Sequence, residues 1–250
     1  MRLDKADYYQ EWFRTNELKY DKQLISIIDF YVMKSFANQS SSRGIKMNEL
    51  GWQRDKKIYQ KLYKYLLFKS KLIKDKDVIT VTKSLNKACL KRIGLADDFY
   101  NNLNKNRICY LKNSRDVDDI FFYIRCAIAH GRFAIISNKY GKWYVMENIK
   151  EYNNQYILKA RMIIDEKVLI TWMNIILDGY NTMCVDIDDL NNKIIDKVLR
   201  YITKYQVKTE QMIINYIDEQ ENCFDKKEIL NKLKTDYIRY DRSKKIWILR

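Results

Sequence analysis

The sequence predicts a mainly α-helical protein: a central helical bundle with a small β insertion, flanked on each side by a smaller helix-and-hairpin module. Three observations carry this. Proline is absent and glycine occurs only 6 times in 250 residues, which favours long uninterrupted helices over a sandwich or barrel. Apolar residues recur at three- and four-residue spacing along much of the chain, the period of an amphipathic helix. Hydrophobic residues make up 47 %, enough for a packed core and too many for global disorder.

Residues 1–20 are charged and aromatic, with Tyr8, Tyr9, Trp12 and Phe13 on a helix that docks elsewhere. Leu24, Ile27, Ile28 and Tyr31 give a clear helical face. Asn38-Gln39-Ser40-Ser41-Ser42-Arg43-Gly44 reads as a loop. A short helix is predicted over Met47 to Gly51, and a longer one on Ile58, Leu62, Tyr65 and Leu66. Lys57, Lys61 and Lys64 gather on a different face of that helix, with Arg54 and Gln60 near. Leu72-Ile73, a charged turn, and Val78 to Thr82 read as a β-hairpin. Helix, short helix, basic helix and hairpin is the order of a winged helix, so residues 1–83 are read as a winged-helix-like domain. Such a module sets its later helix against nucleic acid, which makes Arg54, Lys57, Lys61 and Lys64 candidate phosphate contacts. The same lysines also fit a plain solvated face.

Residues 84–112 carry Leu85, Ala88, Cys89 and Ile93 on one helical face, with Gly94 as the break. Asn113 or Ser114 is placed to cap the next helix. In that helix Val117, Ile120, Phe121, Ile124 and Ile128 form one apolar stripe. Asp118, Phe122, Arg125 and Ala129 form a second, so the helix can pack into its own core and also meet a partner. Gly131 suits the left-handed position that ends a helix.

The helix ends on His130, the single histidine of the chain, five residues after Arg125. A helix carboxyl end carries partial negative charge, and histidine can both take and give a proton near neutrality. Arginine supplies a fixed positive charge and a planar fork that fits a phosphate. Together they can cleave a phosphodiester without a metal, the imidazole accepting a proton from a ribose 2'-hydroxyl and the guanidinium holding charge on the phosphorus oxygens. The alternative is a histidine that only caps the last carbonyls of its helix.

Arg125 and His130, in the context Ala127-Ile128-Ala129-His130-Gly131-Arg132-Phe133, resemble the signature of the HEPN superfamily. The resemblance implies a helical bundle that dimerises so that both motifs face one cleft, with Arg125 and His130 as the catalytic pair. It implies a metal-independent endoribonuclease leaving a 2',3'-cyclic phosphate and a 5'-hydroxyl, in a phage-defence or toxin-like system with an antitoxin or defence-complex partner. Cys126 stands where the family usually has a polar residue. The second stripe makes Phe122 and Ala129 the expected homodimer contacts. The rival reading is a non-catalytic nucleic-acid-binding regulator, or a structural subunit of a defence complex, that uses the bundle only to dimerise.

After the motif, Phe133 to Ile136, a turn at Asn138 to Lys142, and Trp143 to Met146 read as strand, turn, strand. A third strand follows over Tyr156 to Ile163. This insertion, residues 132–164, would shape the cleft, with Arg132 at its mouth either on a phosphate or simply exposed. Val168, Leu169, Trp172, Ile175 and Ile176, then Leu190 to Ile202, restore helical faces, and residues 84–205 make up the HEPN-like domain. Residues 206–250 read as a smaller winged-helix-like module: a helix on Met212 to Ile217, a capping box at Asp225-x-x-Glu228, and a hairpin around Asp241 to Lys245.

The remaining composition narrows the chemistry. Five cysteines, an odd number without a Cys-x-x-Cys pair, and one histidine exclude a zinc finger. Asp186, Asp188 and Asp189 suit a helix's first turn better than a cation. The expectation is therefore no metal and no cofactor. A net charge of +15 favours RNA as partner, although abundant lysine, asparagine, isoleucine and tyrosine also mark chains from AT-rich genomes. The start lacks an apolar core and no apolar run could span a bilayer, so the expected location is the cytoplasm, away from membrane.

Overall fold

The computed structural model describes residues 2–3, 21–37, 44–53, 55–96, 99–101, 103–152, 155–220 and 224–250. Most of the aromatic segment 1–20, the loop residues 38–43, Arg54 and Cys223 lie outside the described residues. The chain forms two compact units, Met1–Gly179 and Tyr180–Arg250.

The first unit is built on a mixed sheet. Its strands are β1 (Arg2–Leu3), β2 (Val78–Val81), β3 (Arg107–Leu111), β4 (Phe133–Asn138), β5 (Gly141–Tyr152) and β6 (Gln155–Asp165). The spatial order is β2-β3-β6-β5-β4, with β1 also paired to β6. β4, β5 and β6 form an antiparallel meander, and β2 runs parallel to β3. Such a parallel pair needs a crossover, which holds helix α3 (Lys87–Ile93). One sheet face buries Cys109, Leu111, Val145 and Ile163 against Leu90, Ile93 and Leu95 from α3 and the segment after it. The other face carries α4 (Asp116–Ala129), whose first turn takes the Tyr110 hydroxyl on Asp116 at 2.7 Å.

These strands overturn the expected fold. The protein is not a mainly α-helical bundle with a β insertion; it is mixed α/β, and the strands after the motif are the body of a sheet. The expected hairpin does not form in the N-terminal region. Leu72 instead closes helix α2 (Lys56–Lys69), its N–H donating to Leu67 O at 2.9 Å, and Val78–Val81 pairs with β3. All five β3 residues are buried, so an apolar run read as helix serves as a strand covered on both faces. The helix expected over 84–112 is limited to α3, ended by Gly94 at φ 71°.

Helix α1 (Lys22–Ile28) runs into a wider turn over Asp29–Met33, and Phe30, Tyr31 and Phe36 meet α4 there. Their rings and Trp172 surround Phe121, with centroids 4.9–6.2 Å away. Trp172 belongs to α5 (Glu166–Lys204), which breaks at Gly179 (φ 83°, ψ 175°). Just before the break, the Trp52 indole N–H donates to the Ile176 carbonyl at 3.0 Å. A Cβ on Gly179 would lie 2.6 Å from Leu50 O, so the backbone needs glycine here.

The second unit holds the rest of α5, α6 (Glu210–Asp218), α7 (Lys226–Lys232) and the hairpin β7 (Ile238–Asp241) with β8 (Ile246–Leu249). Asp225 caps α7 by accepting from Lys227 N and Glu228 N. Ile194, Val198, Val207, Ile213, Ile229, Leu233 and Ile238 form its core. Among the described residues, no helix is long and apolar enough to cross a membrane.

Candidate active site

The motif helix α4 is fixed at both ends by local chemistry. Neither Asn113 nor Ser114 caps it; Arg115 is the N-cap and makes no side-chain cap bond. The polarity is reversed. Asp119, buried in the first turn, reaches back and accepts from Asn113 N (2.9 Å), Ser114 N (2.9 Å) and Ser114 Oγ (3.0 Å). Tyr123 donates to Leu111 O at 2.8 Å and accepts from Asn113 Nδ2 at 2.6 Å. Asp116, Asp118 and Asp119 all lie at the positive end of the helix dipole. Arg115 bonds Asp118 at 2.5 Å and lies 3.8 Å from the centre of the Tyr59 ring on α2.

At the other end His130 is the C-cap, its N–H donating to Cys126 O at 3.1 Å. Gly131 (φ 64°) then bonds Ile128 O at 3.1 Å, and Arg132 N bonds Ala127 O at 2.8 Å. These two bonds are the Schellman arrangement that glycine permits. The helix therefore stops at the residue that carries the imidazole, and His130 is exposed.

Burial separates the two stripes of α4. Val117, Ile120, Phe121, Ile124 and Ile128 are buried. Asp118, Phe122 and Arg125 are half-buried and Ala129 is exposed, so this second stripe is the open side of the helix and leads to His130. Arg125 and His130 stand five residues apart, about 7.5 Å of axial rise, and no hydrogen bond joins them. The Arg125 Nε is buried and without a hydrogen-bond partner. The guanidinium and Asn148 of β5 both lie against the Cys126 thiol, and burial raises that thiol's pKa against their opposing influence. Cys126 thus faces inward, between the helix and β5.

Arg132, half-buried, is locked through its backbone: its carbonyl accepts from Glu147 N at 3.0 Å. Its charge also acts on the Glu147 carboxyl, which burial shifts upward while Arg161 and Arg132 oppose that shift. Glu147 Oε1 takes the Arg161 guanidinium, and Glu147 Oε2 has no hydrogen-bond partner. Sequence reasoning missed Glu147, Arg161 and Asn148. The signal was present in part: Glu147 interrupts an alternating apolar run of Trp143, Val145 and Ile149.

The structure thus brings Arg125, Cys126, His130 and Arg132 to one end of α4, with Cys126 and Arg132 meeting β5 and His130 exposed. Lys57, Lys61 and Lys64 sit on α2, Lys57 and Lys64 exposed and Lys61 half-buried. Among the described residues, no group of three or more His, Cys, Asp and Glu side chains converges as metal ligands would. No family model, curated protein or solved structure matches the chain.

Proposed function

We propose that this protein is a metal-independent endoribonuclease that acts on RNA as a homodimer, with Arg125 and His130 as its catalytic residues. The observation that carries the reading is the open stripe of α4: it holds Arg125 and leads to an exposed His130 at the helix end. The likeness to the HEPN motif rests on residues 125–133 alone, since the helical bundle that it implied is not the fold of this chain.

In this reaction His130 accepts the proton of a ribose 2'-hydroxyl, and the oxygen attacks the adjacent phosphorus. Arg125 balances the charge that grows on the phosphoryl oxygens. The bond to the 5'-oxygen breaks, and that oxygen is protonated by an imidazolium, either the same ring or the partner's His130. The products are a 2',3'-cyclic phosphate and a 5'-hydroxyl, so atoms and charge balance without an ion. One Arg-His pair supplies few groups for two proton transfers, and a two-fold axis along the Phe122–Ala129 stripe would supply a second pair. Arg132 adds phosphate contact at the same helix end. The setting is a cytoplasmic defence or toxin-like role, held in check by an antitoxin or complex partner.

The test compares cleavage rate and RNA affinity for wild type, Arg125→Ala and His130→Ala, with melting curves as a folding control. Loss of a general acid-base group should cost roughly 10²- to 10⁴-fold in rate, and loss of the charge-stabilising donor roughly 10²- to 10³-fold. Affinity should fall far less for His130→Ala. Variants that fold, bind and cut like wild type remove the assignment. A wild type that binds RNA but never cuts it, with candidate activators present, leaves a nucleic-acid-binding regulator.

A further inference from the structure

Charge is unevenly spread in the second unit. Residues 180–236 hold nine Lys and Arg against eleven Asp and Glu, whereas residues 237–250 hold five against one. The excess is concentrated on the β7–β8 hairpin, where Arg239, Arg242, Lys244 and Lys245 are all exposed. The single acid, Asp241, is occupied: its Oδ1 accepts from Ser243 N, Ser243 Oγ and Lys244 N at 2.7–3.2 Å. Those bonds hold its carboxyl below the ordinary carboxylate range. They also shape the turn that carries the basic tip.

Aromatic rings flank these cations. Tyr240 is 43 % exposed, and its ring meets Trp247 edge-on at 5.5 Å across the hairpin. Trp247 in turn packs on the unit's core, which braces Tyr240 from below. Trp247 N donates to Val207 O at 2.7 Å, and this bond lays the segment around Val207 along the outer edge of β8. That segment brings Tyr205, 50 % exposed, and Lys208, exposed. Tyr205 continues a row of rings: it lies 5.2 Å from Tyr201, which stacks on Tyr216 at 4.2 Å and 9°. Half-exposed rings held by packed neighbours, beside exposed cations, are what unstacked bases and a phosphate backbone recognise. An acidic protein segment would match the charge but leave the ring faces unused.

We propose that the β7–β8 hairpin and the adjoining 205–208 segment form a docking surface for single-stranded RNA, with bases on Tyr240 and Tyr205 and phosphates on Arg242, Lys244, Lys245 and Lys208. The proposal deepens the ribonuclease reading by giving its substrate a second point of attachment, and it concerns binding alone.

The experiment measures anisotropy of a labelled single-stranded RNA of mixed sequence over a salt series, with the full chain carrying His130→Ala so that the probe is not consumed. Reversal of Arg242, Lys244 and Lys245 to Glu should weaken binding at least tenfold and reduce the salt slope by about 2, at about 0.7 per phosphate contact. Tyr240→Ala with Tyr205→Ala should weaken it roughly fivefold or more with the slope unchanged, and Phe at both positions should restore it. Circular dichroism melts check that each variant folds. Unchanged affinity in both variants overturns the proposal, as does tighter binding of an RNA duplex, or equal binding of poly-glutamate by the same residues. The two readings fail separately. A wild type that never cuts RNA yet loses binding with the hairpin variants keeps this surface and removes the nuclease. A wild type that cuts, while the hairpin variants bind and cut equally well, does the reverse.

Discussion

Arg161 and Glu147 face each other across β6 and β5 as a fully buried ion pair, with the guanidinium Nε 2.6 Å and Nη2 2.5 Å from one carboxylate oxygen. The pair lies on the sheet face that α3 covers, and it binds the layers together. Arg161 Nη1 donates to Leu95 O at 2.9 Å, and its plane lies 4.3 Å from the centre of the Phe99 ring. A buried pair of this kind contributes little net stability over an apolar substitute, but breaking it strands a charge.

Single substitutions should therefore be severe. Glu147→Gln is expected to cost roughly 3–5 kcal/mol, because Arg161 stays buried without its counter-charge. Arg161→Met should cost a similar amount. The double change Glu147→Gln with Arg161→Met should cost clearly less than the two singles together. Urea unfolding of all four proteins checks this; strict additivity would show that the pair is not coupled.

Two glycines separate conformational strain from crowding. Gly179→Ala must place a Cβ 2.6 Å from Leu50 O at φ 83°, and should cost roughly 2 kcal/mol or more. Gly131→Ala meets no atom within 4 Å at φ 64°, and should cost about 1 kcal/mol from the left-handed backbone alone. Thermal melts would place Gly179→Ala well below Gly131→Ala, and the reverse order would contradict the geometry.

The open stripe of α4 makes an assembly prediction. Phe122→Glu should shift the protein towards monomer in sedimentation at micromolar concentration and lower RNA cleavage with it. A monomeric wild type with full cleavage would remove the dimer from the mechanism.

Cleavage should persist in EDTA, since an imidazole and a guanidinium can complete the reaction without an ion. Strict dependence on magnesium or manganese would relocate the chemistry to carboxylates.

Reversal of Lys57, Lys61 and Lys64 to Glu should weaken RNA binding and flatten its salt dependence if α2 contacts phosphates. The fold should change little, since charges at the surface contribute little to stability. Unchanged binding would assign these lysines to a solvated helix face.

The sequence by itself determined what is local in this protein. The buried apolar stripe of α4, its stop at Gly131 and the less buried Asp118–Ala129 stripe follow from helical period and one left-handed glycine. The Asp225 cap and the C-terminal hairpin were legible for the same reason: each bond spans only a few residues. The tertiary structure decided what is distant. Val78–Val81 had an adjacent candidate partner in Leu72–Ile73, but pairs with Arg107–Leu111 instead, because adding an edge to a sheet whose neighbouring strand is wholly buried secures more packing than an isolated two-stranded hairpin. That choice turned an expected bundle into a mixed sheet. It also decided the surroundings of the motif. Cys126 reads as a departure in a one-dimensional pattern, yet it faces Asn148 on β5, and Arg132 meets Glu147 there. Nothing in the spacing of residues 125–132 names those partners, because pairing between strands is fixed by which faces can be buried together, and that is settled only when the whole sheet assembles.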